Sequence, residues 1–172
     1  SVTDDDYLQM VLKKTCWYTT IFPLRTGMLI GTRDPSGLDA LVPFGFFLGA
    51  AFQIRDDLLN LEGDPERYGK EIEGDLHEGK RTLMLLFLLQ RATDAERARM
   101  HAFLGTPRSG RTPGDVAWIR DRMEAYGCLE HARREAEAAQ PVERVQPGEP
   151  RAHYNDVDLR RTVVRSVASA HA

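Results

Sequence analysis

Cysteine is nearly absent: Cys16 and Cys128 are the two in 172 residues. They make no disulfide framework, and a reduced intracellular setting suits them. Charge of one sign is also lacking. The 23 Lys and Arg stand against 26 Asp and Glu, a formal net charge of -3, which excludes binding nucleic acid through overall charge. No run of four or more residues alternates apolar and polar with β-branched enrichment, so strand signals are missing. The N-terminus, SVTDDDYLQM, lacks the basic-then-apolar order of a signal segment. The longest apolar stretch, LVPFGFFLGAAFQI at 41–54, has 14 residues, short of the ~20 of a membrane-spanning helix. With 42% hydrophobic and 28% charged residues, the expectation is a soluble, cytoplasmic, packed domain without a transmembrane segment.

Helical signals recur instead. Asp4, Asp5 and Asp6 suit the positive end of a helix over 4–22, with Thr3 or Asp4 as its cap. Tyr7, Leu8, Val11, Leu12 and Thr15 follow at helical spacing, and Pro23 is expected to stop or kink the helix. DPSG at 34–37 is turn chemistry. The longest helix is predicted over 38–61. Almost every position from Leu41 to Ile54 is apolar or small, so this helix is expected to be buried on most sides, with Gly45 and Gly49 admitting a close neighbour. Residues 55–80 hold nine acids and four bases, a local net of -5, and glycines at 63, 69, 74 and 79 make the segment read mainly as loop. Helices are predicted again over 82–91, 94–104, 113–126 and 128–139, with Gly127 as a stop. A proline-rich linker is expected at 141–152 and a tail helix within 153–172. The architecture is all-α, one bundle of roughly antiparallel helices.

The informative segment is FQIRDDLLNLEGDPERYGKEIEGDLHEGKRT at 52–82. Asp56 and Asn60 are four apart and share one helix face, with Gln53 a turn earlier; Asp57 projects about 100° away. Oxygen ligands at the negative end of a helix suit a hard divalent cation. A sparse Asp/Asn face fits Mg²⁺ with a phosphorylated ligand better than a closed calcium cage, and DPERYGKEIEGD lacks the alternating acids of an EF-hand. A solvated acidic helix end is the plainer reading of the same residues. Lys13 and Lys14 lie in an apolar helix, and Lys70 and Lys80 follow glycines in the acidic segment. Lysine serves phosphate oxygens as a point charge, although a snorkelling surface side chain is the commoner case, and Lys13 stays with it.

FQIRDD at 52–57 and YGKEIEGDLHEGKRT at 68–82 together resemble the second aspartate-rich region of trans-polyprenyl diphosphate synthases. Lys14-Thr15 is similar to the lysine–threonine pair of the preceding helix in that family, and MLIG at 28–31 to its small-residue helix. The resemblance covers residues 5–92 well and 113–139 loosely. It implies a helical bundle of the isoprenoid synthase type, with residues 1–140 as its C-terminal half. It further implies Asp56 on a magnesium ion bridging to an allylic diphosphate, with Asp57 and Asn60 on its waters or as further ligands, and Asp75 through water. Lys14 and Lys70 would bind the diphosphate; Gln53, Thr15 and the carbonyl of Lys14 would face the allylic carbon. Phe52 would pack on the homoallylic substrate, and Lys80 would stand at the rim or be structural. The family usually has aspartate where this chain has Asn60, which offers an oxygen but no charge; the DDxxN form is similar to some geranylgeranyl diphosphate synthases.

The reaction so implied is condensation of an allylic diphosphate with isopentenyl diphosphate. The first aspartate-rich motif of the family has no counterpart here, since Asp4-Asp5-Asp6 is a helix start with no partner acid and no following arginines. The N-terminal half is therefore expected on a second polypeptide, in a homo- or hetero-oligomer, or on a further segment of the same protein, and the chain alone should expose a long apolar face. A non-catalytic modulator subunit and a class I terpene cyclase are the alternatives. The five histidines show no metal-ligand spacing and are expected at the surface or as caps. Cys16 is expected as a small buried apolar residue, Trp17 and Tyr18 as core, Trp118 as packing, and Arg133-Arg134 and Arg160-Arg161 as solvated faces.

Overall fold

The computed structural model describes residues 4–69 and 71–139, and these contain helix and no strand. The linker and tail helix expected at 141–172, with Arg160-Arg161, lie outside the described residues. The chain divides into two compact units, Ser1–Gln53 with Ala136–Ala172, and Ile54–Glu135.

The first unit opens with helix α1 (Asp4–Val11), continues as a π-helical segment (Leu12–Ile21) and returns to α geometry in α2 (Phe22–Thr32). The widened register shows at its end, where the Phe22 N–H donates to the Trp17 carbonyl five residues back. Pro23 therefore does not stop the helix. The α register resumes immediately before it, so the proline occupies the first turn of α2, where its fixed φ and missing N–H are tolerated. The DPSG turn forms as expected: the Ser36 N–H donates to Asp34 Oδ1 at 2.8 Å, and Gly37 takes φ 78°. A short 3₁₀ turn (Leu38–Ala40) leads into α3 (Leu41–Glu62).

Gly45 and Gly49 admit the first helix closely. A Cβ at Gly45 would lie 2.7 Å from Ile21 Cγ1, and one at Gly49 2.7 Å from Cys16 Sγ. Thr20 Oγ1 sits 2.5 Å from the Gly45 carbonyl, and Tyr7, Leu8, Val11, Leu12, Cys16, Val42, Phe46, Ala50 and Ala51 are buried in this core. The rest of α3 departs from expectation. Phe44, Leu48, Phe52 and Leu59 are exposed, so the helix buries one face and leaves an apolar edge, its first three residues four apart, the exposed face expected of the chain alone. Apolarity along one sequence shows that a surface seeks cover, not that this chain supplies it. From Leu38 to Glu62 the helical stretch has the length and composition to cross a membrane, but its one-sided packing, with Asp57 and Asn60 buried near its end, is that of a core helix. Tyr18 is 83% exposed rather than core, while Cys16 and Ile21 of the same segment are buried.

The second unit holds the last turns of α3, then α4 (Pro65–Tyr68), α5 (Gly74–His77), α6 (Leu83–Arg91), α7 (Asp94–Gly105), a 3₁₀ turn (Arg108–Gly110), α8 (Pro113–Ala125) and most of α9 (Cys128–Ala139). The acidic segment is thus less loop-like than its glycines suggest. Asp64 caps α4 by accepting the Glu66 N–H at 3.0 Å, while Gly69 and Gly79 take positive φ at the turns. Every residue from Leu83 to Leu88 in α6 is buried, together with Leu58, Leu61, Leu76, Met100, Phe103, Val116, Ile119 and Met123. Capping boxes at Thr93/Glu96 and Thr112/Asp115 start α7 and α8, and Gly127 (φ 66°) separates α8 from α9 as expected. His131 corrects the expectation of surface or capping histidines. It is buried and stacks on Phe87 with ring centroids 3.9 Å apart, an apolar use of the ring that its position among polar residues hides. Arg133 does more than cover a solvated face: it pairs with Glu62 and Glu130. Trp118 packs under the Arg99 guanidinium, 4.0 Å from the ring centroid.

Candidate functional site

In the first unit, the structure joins two residues that the resemblance assigns to the same task. The Thr15 hydroxyl donates to Gln53 Oε1 at 2.8 Å, across 38 residues of sequence. Thr15 lies in the π-helical segment, a geometry frequent at functional sites. Lys14 beside it is exposed, and Phe52, next to Gln53, is 60% exposed. Cys16 is buried with its thiol pushed up to about 12 by desolvation, which removes it as a nucleophile. One turn beyond Thr15, an open, mainly apolar groove of about 460 Å³ is lined by Thr19, Thr20, Pro23, Leu24, Met28 and Leu48.

In the second unit, Asp56 is half-buried and Asp57 is 5% exposed at the last turns of α3. Asn60 is 4% exposed and holds the following turn: its Nδ2 donates to the Glu71 carbonyl at 3.1 Å, its Oδ1 accepts the Asp75 N–H at 3.0 Å, and its backbone carbonyl accepts the Glu73 N–H at 2.7 Å. Asp75 accepts from Lys80 Nζ at 2.5 Å, and Glu78 lies 3.1 Å from the same ammonium. Lys80 is raised above the ordinary lysine value, first by its hydrogen bond to Asp75 and then by Glu78; the ammonium is thereby engaged by carboxylates of its own turn. Lys70 lies outside the described residues.

The donor set at the end of α3 is of a kind that a hard divalent cation could use. It is made of oxygens only, with two carboxylates at the negative end of a 22-residue helix. Among the described residues, no three His, Cys, Asp or Glu side chains converge as a closed cage; a sparse set matches an ion that keeps waters and shares phosphate oxygens.

Three arginines escape sequence reasoning. Arg108 pairs with Glu71 at 2.6 Å and Glu78 at 3.1 Å, Arg120 pairs with Glu73 at 2.6 Å, and the Arg111 Nη1–H donates to the His77 carbonyl at 2.7 Å. The signal available for them is the surplus of acids at 71–78, which needs cations, set against the basic run at 108–122.

The sequence pattern of the polyprenyl synthetases matches residues 1–123. This chain belongs to that family. It is 36% identical over 134 residues to a short chain isoprenyl diphosphate synthase of Methanothermobacter thermautotrophicus, covering 76% of this chain and 39% of that one. It is 34% identical over 136 residues to octaprenyl diphosphate synthase of Escherichia coli, covering 79% and 41%. Among solved structures, a geranylgeranyl pyrophosphate synthase matches with TM-score 0.70 at 25% identity over 81% of this chain and 43% of that one. The synthase of Corynebacterium glutamicum complexed with isoprenyl diphosphate and magnesium matches with TM-score 0.64 at 34% identity over 77% and 38%. The fold is accordingly the helical isoprenoid synthase fold. The chain spans about two-fifths of the length of the curated relatives it matches.

Proposed function

We propose that this chain carries the metal- and diphosphate-binding part of a prenyltransferase that condenses an allylic diphosphate with isopentenyl diphosphate. The observation that carries this reading is the 2.8 Å hydrogen bond between Thr15 and Gln53, which joins two uncharged dipoles suited to a carbon that becomes positive without reacting with it. Asp56 and Asp57, with Asp75 through water, hold magnesium, and Asn60, its side chain engaged by Glu71 and Asp75, holds the turn that follows them. Bound there with the diphosphate, the ion supplies positive charge to the leaving group. Lys14 and Lys70 bind diphosphate oxygens as point charges, and Lys80 keeps the rim of the site in shape through Asp75. Phe52 packs on the isopentenyl substrate, and the apolar groove beyond Thr15 takes the prenyl chain.

Departure of diphosphate leaves the allylic carbon electron-poor. The isopentenyl double bond attacks it, a carbon–carbon bond forms, and a proton is lost to the released diphosphate. Charge that appears only in the transition state is what the lysines stabilise, and water must be kept from the cation. The DDxxN form favours a geranylgeranyl-like product. The apolar edge at Phe44, Leu48 and Phe52 supports a second polypeptide or further segment bearing the first aspartate-rich motif, within a homo- or hetero-oligomer. The buried, unpaired thiols of Cys16 and Cys128 suit a cytoplasmic setting.

The test is Mg²⁺-dependent condensation in the assembled enzyme. Asp56→Ala should lose turnover by about a hundredfold or more while far-ultraviolet circular dichroism is unchanged; retained turnover would sink the assignment.

A further inference from the structure

We propose that Arg111 is the positioning residue for the 74–80 turn, which carries Asp75 and Lys80; this rests on the prenyltransferase reading above. Arg111 is half-buried, and each of its three guanidinium nitrogens donates to a backbone carbonyl. Nη1 donates to the His77 carbonyl at 2.7 Å, Nε to Phe103 at 3.2 Å and Nη2 to Leu104 at 3.2 Å. These carbonyls belong to the C-terminal ends of α5 and α7, where helical carbonyls lack internal partners and a cation meets the negative pole. One guanidinium thus ends two helices and ties them together.

Gly79 bears the imprint of this contact. A Cβ there would lie 2.5 Å from Arg111 Nη2 and 2.6 Å from Nη1, and its φ is +67°. The glycine of the GDLHEGK stretch is therefore required twice, by its own backbone and by the arginine pressed against it. The turn's internal bonds run from Gly79 N–H to the Leu76 carbonyl and from Lys80 N–H to the Asp75 carbonyl, both 2.9 Å. Asn60 pins the beginning of the turn through the Asp75 N–H, and Arg111 pins its end. The pairs that Arg108 makes with Glu71 and Glu78 join exposed side chains, and Arg120 meets a half-buried Glu73 from the surface; such surface pairs contribute little singly. Lysine cannot reproduce the Arg111 contacts, because three carbonyls met by three separate nitrogens need the fork.

The experiment uses the full chain, with amide hydrogen exchange read residue by residue and calorimetric titration with Mg²⁺ and inorganic diphosphate. In Arg111→Ala and Arg111→Lys, exchange at Gly79 and Lys80 should rise by about tenfold or more while amides in α6 stay as they are. Affinity for Mg²⁺ with diphosphate should fall by about tenfold, and Arg108→Ala should leave both readings at wild type. Gly79→Ala should reproduce the loosened turn, and should add less in the Arg111→Ala background than alone. Unchanged exchange at Gly79 and Lys80, or protection lost equally across α6 in both Arg111→Lys and Gly79→Ala, overturns the proposal. So does a loosened turn with unchanged affinity. If wild type and Asp56→Ala bind Mg²⁺ with diphosphate equally, the prenyltransferase reading fails instead, and the exchange comparison still decides whether Arg111 holds the turn.

Discussion

The Thr15 hydroxyl gives its proton to Gln53 Oε1 at 2.8 Å, so each side chain fixes the rotamer of the other. A partly buried neutral hydrogen bond of this kind contributes about 1 kcal/mol to stability. Thr15→Val, which keeps the branched shape and drops the hydroxyl, should lower the unfolding free energy by about that amount. In the assembled enzyme its loss in turnover should be larger, about tenfold or more, because the dipole acts on charge that develops during the reaction. Urea denaturation beside a product assay separates the two effects; equal losses in both would mean that the pair is structural.

The close approach at Gly45 and Gly49 makes a second prediction. An added methyl at either position meets Ile21 or Cys16 at 2.7 Å, with backbone Cα atoms at 3.0 Å behind them. Gly45→Ala and Gly49→Ala should each destabilise by about 1–3 kcal/mol, since the obstacle is partly backbone and cannot swing aside. Gly31→Ala, where nothing lies near the added carbon, is the control and should be near neutral or stabilising. Chemical denaturation midpoints measure all three.

Acid sensitivity should trace in part to Glu96. The Tyr126 hydroxyl, with the Thr93 side chain and N–H, holds its carboxyl at about 2, down from 4.5. A carboxylate whose folded pKa is depressed stabilises above its unfolded value and loses that contribution as pH falls through the folded one. Stability from this group should therefore be complete above about 4.5 and drain away toward pH 2. Tyr126→Phe should lower stability at neutral pH, where the contribution is complete, and move the acid-unfolding midpoint to higher pH, with the loss shrinking as pH falls toward 2. Circular dichroism across pH 2–6 reads the shift; an unmoved midpoint would show that Thr93 alone sets it.

Both thiols should be silent in the folded protein. Desolvation pushes Cys16 and Cys128 up to about 12, and both are buried. A thiol reagent at pH 8 should label neither in native buffer and both after denaturation. Native labelling of Cys16 would mean that the seam between the π segment and Gly49 opens readily.

Legibility followed the range of the forces involved. Helix α9 was readable to the residue, 128–139, because a glycine stop and a periodic pattern are local. The passage through Pro23 was not, since no composition marks the shift from α to π register that makes room for it. The exposed edge of α3 was half readable: the apolar run was plain, but burial depends on partners elsewhere. Asp56 and Asn60 share a helix face by spacing, but their assignment to a metal came with the family resemblance. Whether Lys80 faced a ligand or its own turn hung on Asp75 and Glu78, five and two residues away, yet spacing does not give rotamers. The Arg111 contact with His77 spans 34 residues and left no mark but the glycine it demands.

The π-helical segment has a consequence for how this helix tolerates changes in length. A residue in an α-helix advances the phase by about 100°, and the π register from Leu12 to Ile21 absorbs chain that an α-helix would wind forward. Deleting a single residue there lets the helix relax to regular winding with the phase of the earlier turns kept, because the wider register holds the extra residue without winding it forward. Tyr7, Leu8 and Val11, all buried now, stay on the core, whereas the same deletion in a regular α-helix would rotate them off it. Phase, rather than composition, keeps the first turns of this protein folded against the rest.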